Sequence, residues 1–301
     1  MSNDSNALKV RMLLGSYPNT LPLKNEEIKS TRVSLEYDPE KTSNLVFKRV
    51  VNQLEFNIAE LALATFLQAK AYGRPLALLP IVLRGKFAHN AIAYNARLNH
   101  LTAADLAGRR VGIRAWAQTT PLWVRGFLEN DYGVDLKSVK WVTFEDSHVS
   151  ESLDPAGVER APAGKKLRQM LLDGELDAAM VSEQRDAKDP SLKTLIPDAP
   201  AAAQEWYKKF QVVPINHMVV VKQSFLKEHP EAVQEIFDML AASKKAAGFP
   251  PAGGIDTFPV GVEAIRKSLE MGIKYSVQQG LIPRAYTVDE LFDDFTRTLG
   301  R

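Results

Sequence analysis

The 301-residue chain has no cysteine, which excludes disulfides, thiolate zinc sites, iron–sulfur clusters and a cysteine nucleophile. Long apolar runs are missing too: the longest, residues 75–83, is nine residues and too short to span a bilayer. Charge of one sign is not in excess. Lys plus Arg number 38 against 36 Asp plus Glu, a net +2, so no nucleic-acid partner is expected. The clusters Lys165-Lys166 with Arg168, and Lys244-Lys245, fall in helical patterns and read as solvated faces. Gly-x-Gly-x-x-Gly, Walker and Gly-x-Ser-x-Gly phrases are absent, which lowers nucleotide-dependent and serine-hydrolase chemistry. The start, Met1-Ser2-Asn3-Asp4-Ser5-Asn6, has an acid where a secretory signal carries a basic segment and then an apolar one. A cytoplasmic location without membrane partners is expected. What is present, 45% hydrophobic and 25% charged residues, is the composition of a globular protein long enough for two domains with cores of their own.

Lys9 to Leu14 reads as a buried strand ending in the turn formers Gly15-Ser16-Tyr17-Pro18-Asn19-Thr20, and Thr31 to Tyr37 as a second strand. Residues 45–56 place Phe47, Val50 and Leu54 on one helical face, and Asn57 to Leu61 returns to strand. Strand, helix and strand in succession predict a parallel α/β sheet. A second α/β unit follows. Thr102 to Asp105 opens a short capped helix stopped by Gly108, and Arg110 to Arg114 is strand. Thr120 is the expected N-cap and Pro121 the first residue of a helix to about Glu129. Val139 to Phe144 is strand, Lys165 to Leu172 helix and Asp177 to Ser182 strand. Residues 53–61 and 173–181 share a faint pattern of Glu, apolar residue, Asn or Asp, then strand. Further on come a strand from Ile215 to Lys222, a helix from Pro230 to Ala247 with Gly248 as its stop, and a Pro/Gly loop over 250–254. Helices are expected over about 260–279 and 287–299, the last opened by the capping box of Thr287 with Glu290.

The order of these signals, with Ile58-Ala59-Glu60-Leu61 and Leu101-Thr102-Ala103-Ala104-Asp105-Leu106-Ala107-Gly108-Arg109-Arg110-Val111-Gly112, resembles the type 2 periplasmic-binding-protein fold. More specific phrases are Arg84-Gly85-Lys86-Phe87-Ala88-His89-Asn90-Ala91-Ile92, Thr119 with Trp123-Val124-Arg125-Gly126, Trp141-Val142-Thr143, and Pro214-Ile215-Asn216-His217-Met218-Val219-Val220. Together they resemble the 4,5-dihydroxyphthalate decarboxylase family along nearly the whole chain. The resemblance implies an α/β, two-lobed fold with a ligand cleft between the lobes: residues 1–100 and 215–301 in lobe one, 101–214 in lobe two. It also implies decarboxylation of a hydroxylated aromatic carboxylic acid, a small aromatic carboxylate as ligand, and no redox cofactor. Two phrases depart from the family. Phe258 and Val260 stand where it has Trp and Tyr, and Arg114-Ala115-Trp116-Ala117-Gln118 replaces Pro-Glu-Tyr-Gln, adding a cation and removing an anion beside the expected cleft.

Removing carbon dioxide from an aromatic ring requires a proton for the carbon that carries the carboxylate, an anchor for the ligand, and exclusion of water. Against the implied cleft, His89 and His217 are the candidate proton donors, each equally readable as a hydrogen-bonded structural residue. Glu60 has three readings: general base, metal ligand or orienting partner of a histidine, beside the plain one of a buried salt bridge. Arg84 and Lys86, two apart on an extended segment, share a face that suits a carboxylate. Arg114 ends a strand where open α/β sheets place ligands. Thr119 and Thr120 stand at a helix start whose free N–H groups suit an anion, a reading compatible with simple capping. Tyr17, Phe87 and Trp116 are candidate aromatic walls. Two histidines and Glu60 are also donors that a divalent metal accepts, though at no recognised spacing, so no metal or other cofactor is predicted. Assembly into a homo-oligomer is left open. The alternative from another class is a solute-binding protein of an ABC-type transporter for a small aromatic or anionic ligand, with a thiamine-pyrimidine synthase as a fainter third.

Overall fold

The computed structural model describes residues 7–181 and 189–301; Met1 to Asn6, and Ser182 at the expected end of a strand, lie outside the described residues. Among the described residues the strands are β1 (Leu8–Leu13), β2 (Val33–Tyr37), β3 (Ile58–Ala62), β4 (Leu76–Gly85), β5 (Ile92–Asn95), β6 (Arg110–Ile113), β7 (Lys140–Thr143), β8 (Glu159–Arg160), β9 (Ala178–Met180), β10 (Leu192–Thr194) and β11 (Ile215–Lys222). They form two sheets in two compact units.

The first unit comprises the chain up to Lys86, Ile215–Lys274 and Ile282–Arg301. Its sheet has the order β2-β1-β3-β11-β4. β1 runs parallel to β2 and β3, while β11 is antiparallel to both β3 and β4. The sheet is therefore mixed rather than parallel, because the strand that re-enters at Ile215 does so between two strands running the other way. Period-two alternation puts Val10 and Met12, Leu79 and Ile81, and Val219 and Val221 into one core. Against them pack Ile236, Phe237 and Leu240 of the helix Pro230–Ala246. Full burial of each such side chain contributes about 1.5–3 kcal/mol relative to exposure.

Of two expected helices in this unit, one is irregular and the other does not form. Over 45–56 the chain is helical from Phe47 to Gln53, widened over Arg49–Gln53; this stretch follows the turn Ser43–Leu45 and ends at Leu54 in the left-handed region at φ 51°. Phe47 and Val50 are buried from it. Over 287–299 the capping box does close, with Thr287 N–H on Glu290 Oε2 at 2.6 Å. The turn Asp289–Leu291 then stops at an extended Phe292, since the Asp293 carboxylate takes the Phe295 N–H at 2.9 Å and starts a new turn, Thr296–Thr298. The apolar run at 75–83, by contrast, is β4, buried at every residue from Leu76 to Leu83.

The second unit comprises Phe87–Pro214 and Tyr275–Leu281. Residues 87–100, expected in lobe one, group here because β5 pairs with β9 and β10. The sheet order is β10-β5-β9-β6-β7-β8, with β6 parallel to β7 and β9, and β5 antiparallel to its neighbours. The faint internal echo falls on matching strands: β3 and β9 each lie between one parallel partner, β1 or β6, and one antiparallel partner, β11 or β5. The helix Thr119–Asn130 starts two residues earlier than expected. Gln118, extended at ψ 144°, holds the cap position, and Pro121 is tolerated within the first turn because its missing N–H has no helical acceptor there. A further helix, Ala199–Phe210, had no counterpart in the sequence reading. No helix among the described residues is long and apolar enough to cross a membrane.

Candidate functional site

Every residue of β3 is buried, and in its middle stands Glu60 with no exposed surface. A carboxylate in such a place is costly unless donors meet it. Three do. Gly15 N–H donates to Oε2 at 2.7 Å, the Tyr17 hydroxyl donates to Oε1 at 2.6 Å, and His217 Nδ1 makes a close bond to the same Oε1. Burial pushes the Glu60 carboxyl up, but the bonds from His217, Tyr17 and Gly15 outweigh it and the net direction is down. Glu60 is therefore an ionised acceptor.

The turn after β1 delivers two of these donors. Tyr17 N–H bonds Thr20 Oγ1 at 2.9 Å, and Thr20 Oγ1 donates to Gly15 O at 2.8 Å. The Tyr17 ring folds back over Gly15 so closely that a Cβ there would lie 2.4 Å from the phenol oxygen, so the position requires glycine. The hydroxyl also lies 3.3 Å from Ser43 Oγ. Burial, then the charge of Glu60, push the Tyr17 phenol well above its ordinary range, which keeps it a neutral donor. His217 comes from β11, opposite Ala62 of β3 and Arg84 of β4. Its ring meets the edge of Phe47 at 5.3 Å. Nε2 has no partner among the described residues and is not sealed from solvent. Arg84 is exposed, its guanidinium carbon 5.1 Å from the Tyr17 ring centre, and it has no carboxylate partner among the described residues. Lys86 lies just past the end of β4 and is exposed. The structure thus brings Tyr17, Glu60, Arg84 and His217 together toward the C-terminal ends of the parallel strands, where open α/β sheets present ligand sites.

The remaining candidates belong to the second unit. His89 is buried, stacked on Phe127 at 4.3 Å, with the edge of Trp206 at 6.0 Å and Nδ1 sealed without a partner. Burial lowers its imidazole to about 4, so it is neutral at neutral pH. Phe87 meets Trp206 and Tyr207 edgewise. Arg114 pairs with Glu145 at 3.2 Å, and the Gln118 side-chain oxygen accepts from its Nε at 2.8 Å. The cation that departs from the family phrase is thus compensated locally. Thr119 and Thr120 are the first two residues of their helix. Trp116 is buried; its indole N–H donates to Gln279 O at 3.2 Å, and Arg125 lies 3.8 Å over its ring.

Arg125, Gln279 and Ser43 carried no role in the sequence reading. Arg125 is fully buried, donating from Nε to Gln279 Oε1 at 2.8 Å and from Nη2 to Trp116 O at 2.7 Å, with Nη1 unpartnered. A lone cation inside the apolar helical run 122–128 was the signal for it; Ser43 gave none. Among the described residues no three His, Asp or Glu side chains gather as a metal-binding group.

No family model matches the chain. It is 30% identical over 237 residues to the 4,5-dihydroxyphthalate decarboxylase of Comamonas testosteroni, covering 74% of this chain and 71% of that one. To the 4,5-dihydroxyphthalate decarboxylase of Pseudomonas putida it is 30% identical over 217 residues, covering 67% and 83%. Among solved structures, the alkanesulfonate-binding protein SsuA from Xanthomonas axonopodis pv. citri matches with a TM-score of 0.62 at 13% identity, over 96% of this chain and 99% of that one. That likeness is one of fold: the chain has the periplasmic-binding-protein architecture.

Proposed function

Since the chain belongs to the 4,5-dihydroxyphthalate decarboxylase family, we propose that it releases carbon dioxide from a hydroxylated aromatic carboxylic acid of the 4,5-dihydroxyphthalate kind, with His217 as the proton donor. In that substrate each carbon bearing a carboxylate has a hydroxyl para to it, which makes the ring carbon easy to protonate. The proton leaves His217 Nε2 and forms a C–H bond at that carbon. The C–C bond to the carboxylate then breaks, its electron pair returns to the ring, carbon dioxide departs, and His217 recovers a proton from water. Ionised Glu60 on Nδ1 orients the imidazole and offsets its positive charge, as a buried acid does for a catalytic histidine. Arg84, with Lys86 beside it, anchors a substrate carboxylate, and Arg suits a bidentate contact. A cytoplasmic location belongs to the same proposal.

The observation that carries this reading is the buried Glu60–His217 pair beside an exposed Arg84 that has no carboxylate partner among the described residues. His89 is not used as the acid, because burial keeps it neutral. The test is to follow carbon dioxide release and thermal shift together on 4,5-dihydroxyphthalate and on unsubstituted phthalate, with and without chelator. Release from the dihydroxy compound alone is expected. A thermal shift with no release from either compound contradicts the proposal and favours a binding protein, and the chelator arm reads out any metal requirement.

A further inference from the structure

We propose that Tyr17 is a positioning residue for the proton-donating pair: its hydroxyl fixes Glu60 Oε1 where His217 Nδ1 meets it and takes up part of the charge His217 would otherwise face alone. The inference rests on His217 being the proton donor.

The geometry is specific. Two donors, one neutral and one from the imidazole, share Oε1, while Gly15 N–H holds Oε2. The carboxylate is held at both oxygens. Tyr17 is itself fixed from several sides, by the missing Cβ of Gly15, by Thr20 Oγ1 on its backbone and by Ser43 Oγ near its hydroxyl. Its ring also lies beneath Arg84, so one side chain touches both the proton-donating pair and the anchoring cation. The charged and titratable groups facing the pair are Tyr17 from the turn after β1, Lys24 from the helix Leu21–Lys24, and Arg84 from β4. Lys24 Nζ is engaged by Leu14 O at 2.8 Å, and Phe47 presents an uncharged edge. Of these groups only Tyr17 competes with His217 for the same oxygen. An anionic acceptor shared between two donors holds each less tightly than it would hold one. Without the hydroxyl, Glu60 draws the Nδ1 proton more strongly and stabilises the imidazolium, which makes Nε2–H a weaker acid and slows its transfer to carbon.

The test compares Tyr17→Phe with the wild-type full chain, measuring kcat and KM against pH on 4,5-dihydroxyphthalate. The Phe ring keeps the contact with Arg84, so KM should stay within about twofold. Loss of positioning should lower kcat by about tenfold or more and move the alkaline limb of kcat to higher pH. An unchanged kcat and limb, or a loss wholly in KM, overturns the inference. A second measurement needs no turnover: the far-downfield Nδ1–H proton resonance of His217 should move in Tyr17→Phe, and an unmoved resonance overturns the inference. Fluorotyrosine at position 17, a stronger donor of the same shape, should move that resonance the opposite way and covers the case in which the Phe variant does not fold. These resonance changes in the variants, with no carbon dioxide released by the wild type, would sink the decarboxylase reading and leave Tyr17 as the residue that positions the Glu60–His217 pair.

Discussion

His217 meets a buried, ionised Glu60, whereas His89 lies flat on Phe127 with a sealed and unpartnered Nδ1. For His89 the folded chain resists protonation until about pH 4, below the ordinary 6.5. The unfolded chain takes up that proton first, so His89 costs stability as pH falls from about 6.5 toward 4. His89→Gln should therefore lose less Tm than wild type between pH 7 and 4.5, and parallel Tm curves would contradict this. Glu60 acts in the same direction at lower pH: its depressed carboxyl contributes stability above the ordinary carboxylate range, lost as pH falls through its folded value. In the sequence Glu60 stood out as an acid in an apolar strand, with orienting a histidine as one of three readings. Its partners could not be read, because Gly15, Tyr17 and His217 lie 45, 43 and 157 positions away. Only the register of β3 against β11 brings the last of them near.

The helix Thr119–Asn130 carries its constraint at Gly126, where a Cβ would lie 2.1 Å from the Tyr275 ring. Gly126→Ala should destabilise the protein by about 1–3 kcal/mol through overpacking, read as a lower urea midpoint; an unchanged midpoint would mean the ring moves freely. At the turn after β1, Gly15→Ala should displace the Tyr17 ring from Glu60 and lower kcat, while wild-type turnover in this variant would show the turn to be adaptable. Elements with a strong period and clear ends were legible: β11 is the strand read from Ile215 to Lys222, and the helix Pro230–Ala246 ends one residue short of the expected Ala247. The helix expected over 45–56 ends early because periodicity does not report a left-handed residue such as Leu54, and 287–299 was misread because it does not report a side-chain acceptor such as Asp293 that restarts the turn. The capping box at Thr287 was correctly seen, yet a cap starts a helix without extending it.

At the scale of the whole molecule, the chain builds its units from discontinuous segments, and the second one depends on Tyr275–Leu281. Gln279 from that segment accepts from Arg125 and Trp116, and Tyr275 packs edgewise on Trp123 at 5.7 Å. A fragment of residues 87–214 would leave a buried guanidinium short of an acceptor. It is expected to lack a cooperative urea transition by circular dichroism, and a sharp transition like that of the intact chain would contradict this. The two-unit architecture was legible through the family resemblance, whereas the placing of residues 87–100 was not, since it depends on β5 pairing with β9 and β10. The most direct test of the account is the amount of carbon dioxide released from 4,5-dihydroxyphthalate by wild-type protein and by His217→Gln under the same conditions. Stoichiometric release by the wild type and a loss of about 10²–10⁴-fold in the variant, with the fold retained, is the predicted result. Equal release by the two proteins would contradict the assignment of His217 as the proton donor.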